Sequence, residues 1–186
     1  MKKLIINVAL FQLGWFCCVV AGANHMPLVG TAAALMVVLW HLASSYDPRK
    51  ELTLLLIAAL IGTSWESLLV SAGLLQYPSG TFIQGMAPIW IIAMWMLFAT
   101  TLNVSLRWLK NRLALAAMLG AIAGPAVFFT GYKLGGVNMP DTTTALLALA
   151  AGWSVLMPLL MTLSNRIDGT HPQLALTRIE GWDTHA

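Results

Sequence analysis

Apolar residues run along the chain in six long blocks, at roughly residues 4–22, 27–45, 52–75, 86–105, 112–133 and 143–164. Each block is close to the ~20 residues that an α-helix needs to cross the hydrocarbon core of a bilayer. Turn-forming residues gather between them: Asn24 to Pro27, Ser44 to Lys50 with Pro48, Gln76 to Gly85 with Pro78 and Gly80, and Gly135 to Asp141 with Pro140. A short basic segment, Arg107 to Arg112, joins the fourth block to the fifth, and Asp141 with Thr142 to Thr144 has the makings of a cap on the sixth. This pattern predicts an all-α membrane protein of six transmembrane helices. One transmembrane domain covers residues 1–164. A short cytoplasmic tail follows over 165–186, where Pro172 and the scattered Leu174, Leu176, Ile179 and Trp182 leave open either a short interfacial helix or no fixed structure.

Charge sets the expected orientation. Lys2, Lys3, Arg49, Lys50, Arg107, Lys110, Arg112, Arg166 and Arg178 fall on one side of a six-span chain, and only Lys133 falls on the other. Short cytoplasmic loops carry the excess of Lys and Arg, so both termini are expected inside, in a bacterial inner membrane. Composition agrees with a membrane: 59% of residues are hydrophobic and 9% charged, against about 25% charged in soluble domains. The net charge of +3 implies no nucleic-acid partner, because the basic residues stand in small groups at helix ends.

Met1 to Ala23 also has the basic start and Ala21-Gly22-Ala23 ending of a cleavable signal. Its apolar stretch is longer than the ~7–15 residues of a signal peptide, so it is expected to stay as the first span. Cys17 and Cys18 are adjacent in that stretch. Neighbouring helical positions do not face one another, so they are read as packing residues and not as a disulfide or chelate.

Small residues mark the faces expected to pack. The third block presents Ala59, Gly62, Thr63, Glu66 and Gly73, the fifth Ala117, Gly120, Ala121 and Gly124, and the sixth Ala148 and Gly152. Lipid does not drive helices together by hydrophobicity, so close backbone approach at such residues is expected to place helices 3, 5 and 6 at the centre of a compact bundle. Pro125 is expected to kink the fifth helix. Gly22, Gly73 and Gly135 each precede a proline by five positions, which reads as the ordinary way of ending a helix, although three repeated hairpins would look the same.

Glu66 is the acid set deep in a span. An ionised carboxyl there costs roughly 2.5–3.5 kcal/mol on insertion, which the flanking leucines and isoleucines offset at a few tenths each. It is expected to face the bundle interior, as a proton-handling or substrate-binding carboxyl or as a neutral hydrogen-bonding group. Lys133 is the basic residue on the same half, read chiefly as a snorkelling anchor. Trp40, Trp90 and Trp108 fall near helix ends, where interfacial belts lie, whereas Trp15, Trp65, Trp95 and Trp153 sit near mid-span. Four such tryptophans around one acid suggest a pocket for a lipid, quinone or isoprenoid, with an indole N–H donating to Glu66; bulky packing is the blander alternative. His25, Met26, Met86 and Met139 lie toward one surface, but their spacing matches no metal motif, so neither metal nor cofactor is expected. His41 is read as interfacial. No P-loop, HExxH, GxSxG or CxxCH occurs.

The segment Ala87-Pro88-Ile89-Trp90, with Trp95, Thr100 to Leu109, Gly120 to Pro125 and Gly131 to Gly135, resembles a family of small proteobacterial multi-pass inner-membrane proteins of unknown function. The resemblance runs from about Met1 to Ser164. It implies a multi-pass architecture, with a leaning toward lipid, and no assigned activity or catalytic residue. Two functions are therefore carried forward: a binding or accessory protein for a lipid-like molecule around Glu66, and a small proton- or solute-coupled carrier using the same acid. A carrier would need a polar track to both surfaces, and Leu52 to Leu60 is almost wholly apolar. A ligand-free assembly subunit is the third reading, with membrane-protein partners the sequence does not name.

Overall fold

A computed structural model describes residues 2–170, so Pro172, Leu174, Leu176, Arg178, Ile179 and Trp182 of the expected tail lie outside the described residues. Six α-helices follow one another: α1 (Lys2–Ala23), α2 (Pro27–Ala43), α3 (Pro48–Ser71), α4 (Ile89–Leu102), α5 (Leu113–Lys133) and α6 (Thr142–Arg166). A single 3-10 turn, Arg107–Leu109, interrupts the link between α4 and α5. α1, α3, α5 and α6 are long and apolar enough to cross a membrane, and α2 and α4 are shorter apolar helices.

Cross-links show that the helices run alternately up and down. Asn7 Nδ2, near the start of α1, donates to the Thr100 carbonyl at the end of α4 (3.1 Å). At the other end, Ser79 Oγ donates to the Gly22 carbonyl (2.7 Å), and Trp90 Nε1 donates to the Ser79 carbonyl (3.0 Å). Lys2, Lys3, Arg49, Lys50, Arg107, Lys110, Arg112 and Arg166 therefore gather at one end, called here the basic end, and Lys133 stands at the opposite one.

Local signals place the helix ends. Asp47 and Asp141 cap α3 and α6, accepting from Lys50 N (3.3 Å) and Thr144 N (3.1 Å). α1, α3 and α5 all end in the same left-handed turn, with Met26 N, Leu74 N and Gly136 N reaching back to Ala21 O, Leu69 O and Gly131 O. The residue in the left-handed region is Gly73 and Gly135 in two of them, but His25 (φ 59°) in the first. Gly22 is thus not the equivalent of Gly73 and Gly135; it lies within α1, against the indole of Trp90.

The expectation that helices 3, 5 and 6 form the centre is corrected. α4 is the central helix, packing against α1, α2, α3 and α6, whereas α5 rests mainly on α6. α4 is also the shortest helix, starting after Pro88 and ending at Asn103. The physical reason lies in what the small residues hold. Gly62 seats the indole of Trp95, Gly124 that of Trp153 and Gly152 that of Trp65: in each case a Cβ would overlap the ring. Of the glycines expected to form the packing stripes of α3, α5 and α6, Gly120 is the one that meets a neighbouring backbone, the Trp153 carbonyl. The glycines mark where bulky rings enter, so they do not identify the middle of the bundle. α5 and α6 continue as helices through Pro125 and Pro158.

Trp95 and Trp153 stack on each other with ring centroids 5.0 Å apart and planes 9° from parallel. Gly62, Trp95, Trp153 and Gly124 thus form four layers running from α3 through α4 and α6 to α5. A side chain at Gly124 must displace Trp153, so Gly124→Leu is expected to cost about 1–3 kcal/mol of stability in detergent by overpacking. Leu68→Ala, at a position 59% exposed on the outside of α3, is expected to cost less than about 0.5 kcal/mol. Equal losses in thermal unfolding would contradict the layered stack.

Candidate functional site

α1 and α5 stand on either side of α4 and leave a cleft between them of about 470 Å³. This falls in the ~300–1,000 Å³ range of small-molecule sites. Its floor is the face of α4 that carries Ile91, Met94, Trp95, Phe98 and Thr101. One wall is α1, through Val8, Phe11, Gln12 and Trp15; the other is α5, from Leu119 to Phe128. Glu66 and Trp153 enter from behind, and Ser105, Leu106 and Leu109 close the basic end. The lining is apolar with four polar exceptions, Gln12, Glu66, Thr101 and Ser105, and it includes no cationic side chain.

Glu66 is 1% exposed. Because α3 stops at Ser71, four residues sooner than the apolar block suggests, the acid lies about a turn and a half from the helix end. The chain then turns back over it. Gly73 reverses direction, Leu75 is buried, and the Tyr77 hydroxyl donates to Glu66 Oε2 (2.8 Å). Burial of that hydroxyl, and then the Glu66 carboxyl, push the tyrosine well above its ordinary pKa, so it stays a donor. The ring of Tyr77 also stands edge-on to Trp90, with centroids 5.5 Å apart. Trp95 is the second side chain close enough to donate toward this carboxyl.

Trp15, Trp95 and Trp153 therefore meet Glu66 at one cleft. Trp65 does not line it, since its ring is committed to Gly152. Nor do the buried indoles all reach the acid: Trp65 Nε1 and Trp153 Nε1 have no hydrogen-bond partner among the described residues. Trp90 is corrected from a belt residue to a core one at 1% exposed, while Trp40 and Trp108 remain exposed. Lys133 stays apart from the cleft, its Nζ over the rings of Phe129 and Tyr132 at 5.1 and 5.6 Å. Met139 is buried against Leu69, Leu75 and Val137, whereas His25 and Met26 are exposed. Cys18 is buried with Sγ 3.2 Å from the Gly30 carbonyl, and Cys17 is exposed.

Three features of the structure go beyond the sequence pattern. Tyr77 sits among turn residues, where nothing marks it as a partner for a helix acid. Gln12 is exposed at the centre of α1 and lines the cleft; a lone amide in the middle of a 22-residue apolar helix was the available signal. The third is a polar cluster at the basic end. Glu51 is fully buried, its Oε2 2.7 Å from His41 Nε2, and its Oε1 accepts from Asn103 Nδ2 (2.7 Å) and Gly169 N (2.7 Å). His41 is thus a buried partner of Glu51 and not an interfacial residue. Arg107 and Lys110 reach Asp168 at 2.6 and 2.7 Å, fastening residues 167–170 across that end. Burial alone would raise Asp168, but donors from Lys110 and Thr170 outweigh it and hold it at about 2. Burial draws Lys110 below the ordinary lysine value, against the upward pull of Asp168.

Helices long and apolar enough for a bilayer, packed around a central short helix with one laterally open cleft, define an all-helical protein of membrane-spanning composition. The chain belongs to the family described as Protein of unknown function (DUF2878), whose model matches residues 4–159. No curated protein and no solved structure matches it.

The Tyr77–Glu66 bond is open to direct measurement. Tyr77→Phe keeps the ring against Trp90 but strips a donor from a buried carboxyl, and is expected to lower unfolding stability by about 1–3 kcal/mol. Combining it with Glu66→Leu removes the orphaned acceptor as well and is expected to recover most of that loss. A double variant no more stable than Tyr77→Phe alone would show that the bond is not what holds the loop down.

Proposed function

We propose that this is a six-span protein of a bacterial inner membrane, with both termini cytoplasmic, that holds a lipid-like molecule in the cleft beside Glu66. The single observation that carries this is the cleft itself: apolar walls, a volume of about 470 Å³, and one buried acid at its back. From Ile91 to Thr101 its floor spans ten residues of α4, or about 15 Å at 1.5 Å per residue. That is half of a ~30 Å hydrocarbon core, the depth of one leaflet. An apolar chain entering sideways from the bilayer would find a trough of its own length, with the indole edges of Trp15, Trp95 and Trp153 along it. The ring faces of Trp95 and Trp153 are already covered by Gly62, Gly124 and each other. The cleft therefore suits a flexible chain better than a flat ring system that must stack.

Blocking the cleft from its wall tests this. Ala123 lines it and is exposed on α5, so Ala123→Trp is expected to fill it without disturbing the core. In protein purified in mild detergent, native mass spectrometry is expected to show at least a tenfold loss of co-purifying lipid at unchanged thermal stability. Ala126→Trp, exposed on α5 but outside the lining, is expected to retain it. Undiminished lipid in the Ala123 variant would reject the binding reading.

Orientation has its own test. Cysteine labelling is expected to place residues 46–50 and 107–112 in the cytoplasm and residues 76–84 and 135–141 in the periplasm. Periplasmic labelling of Arg107 to Arg112 would overturn the six-span topology.

A further inference from the structure

We infer that the occupant of the cleft is a cationic amphiphile, a long-chain amine whose positively charged nitrogen sits beside Glu66 while its chain runs along α4 toward the basic end. This rests on the binding reading above and deepens it by naming the ligand class.

The inference starts from where the polar groups of the lining stand. Gly62 of α3 seats the ring of Trp95, and Glu66 lies four residues beyond it, about 6 Å further from the basic end. α4 runs antiparallel to α3, so the acid is roughly level with Ile91, in the first turn of α4. Gly14 of α1 abuts Leu97 and Gly22 abuts Trp90, which sets Gln12 roughly two helical turns from Glu66, toward the basic end. Thr101 and Ser105 lie on the same side as Gln12. Of the four polar residues in the lining, a headgroup beside Glu66 therefore meets the acid alone, with apolar walls around it.

The chemistry of the headgroup follows from what already surrounds that acid. The Tyr77 hydroxyl donates to Oε2 at 2.8 Å, and Trp95, the other side chain that approaches, is likewise a donor. Two neutral donors suit the ionised carboxyl, but in an apolar cleft its charge stays uncompensated until a positive group stands beside it. No cationic side chain lines the cleft, and Lys133 is held apart over Phe129 and Tyr132. An ammonium supplies both the charge and N–H donors that the carboxyl can still accept. A carboxylate or phosphate would instead add a second negative charge. A sugar or polyol would bring several hydroxyls to a single acid and leave most of them unpaired. The depth suits a headgroup as well. Glu66 lies about 8 Å below the end of α3 at Ser71, within reach of an amphiphile in the adjoining leaflet.

The test uses the full chain in nanodiscs with a diazirine-bearing hexadecane as photoprobe, and labelled peptides are identified by mass spectrometry. Labelling is expected on the α1 and α5 faces of the cleft. Hexadecylamine is expected to displace the probe at about tenfold lower concentration than hexadecanol or palmitate, the factor that one charge-assisted hydrogen bond is worth. Glu66→Gln keeps an acceptor for Tyr77 and is expected to fold, to retain labelling and to lose that preference. Glu66→Asp keeps the charge on a shorter arm and is expected to retain part of it. Equal competition by hexadecylamine and hexadecanol in the wild type would overturn the cation assignment and leave the cleft as a site for uncharged chains. A preference for palmitate, or a preference for hexadecylamine that survives in Glu66→Gln, would overturn it as well. Labelling outside both cleft faces would overturn the assignment together with the binding reading beneath it.

Discussion

Two indole rings lie flat on one another in the bundle, and each has a glycine at its back. The stack Gly62, Trp95, Trp153, Gly124 crosses four helices, and α3, α4, α5 and α6 are tied to one another through it. α4 is central because it carries Trp95 between α3 and α6. α5 is held to α6 because Trp153 needs Gly124 behind it. Stacked aromatic rings contribute roughly 0.5–1.5 kcal/mol beyond the area they bury, and the dense packing around them adds dispersion. Such packing matters most where burial of apolar surface gives no advantage over contact with lipid tails. Its consequence for the cleft is direct: α1 has no comparable hold on α5, and the gap between them stays open.

The hairpins α3–α4 and α5–α6 are built alike. Gly62 and Gly124, Gly73 and Gly135, Gln76 and Asn138, and Pro78 and Pro140 are each 62 positions apart. The first pair seats the two stacked indoles, and the second adopts the same positive φ. The third joins the two loops by reciprocal backbone hydrogen bonds of 2.9 and 2.7 Å. Leu75 and Val137, at matching positions, are buried in one cluster below that bridge. The correspondence breaks at the chemistry. The residue 62 positions beyond Glu66 is Phe128, which lines the same cleft from the other side. The matching positions of the two hairpins thus hold an acid in one and a phenyl ring in the other.

How far this was legible from the chain depends on the range of the interaction. Helix number and most helix ends were readable, because apolar run length and the Gly, Pro and Asp signals are local. The central helix was not, because a glycine in sequence does not say whether it admits a backbone or an indole ring. Of the site, Glu66 and three of its tryptophans were visible as polar or bulky residues in apolar runs, and Gln12 carried the same signal unread. Tyr77 was beyond reach, since its role depends on α3 ending at Ser71 and the loop folding back. Glu51 and His41 were hidden for a related reason. Each stands at a helix end, where a polar residue is ordinary, and only the approach of Asn103 and Gly169 makes them a buried cluster.

Two buried glutamates on one helix then separate structure from candidate function. Glu51 has both oxygens committed: one to His41, the other to Asn103 and the backbone of Gly169. A carboxyl group offers about four hydrogen-bonding positions, and three partners leave little for anything that might arrive. Those partners come from α2, from the end of α4 and from the segment after α6, so the acid acts as a fastening for the basic end. Glu66 is nearly as deeply buried, but its Oε2 meets one hydroxyl from a loop, and Trp95 is the other side chain that approaches it. The difference lies in what is beside them: Glu51 is packed against protein, and Glu66 opens onto a cavity. Fifteen positions apart on one helix thus stand an acid whose hydrogen-bonding capacity is spent on the fold and another whose capacity is partly in reserve. Only the second has room beside it for a ligand.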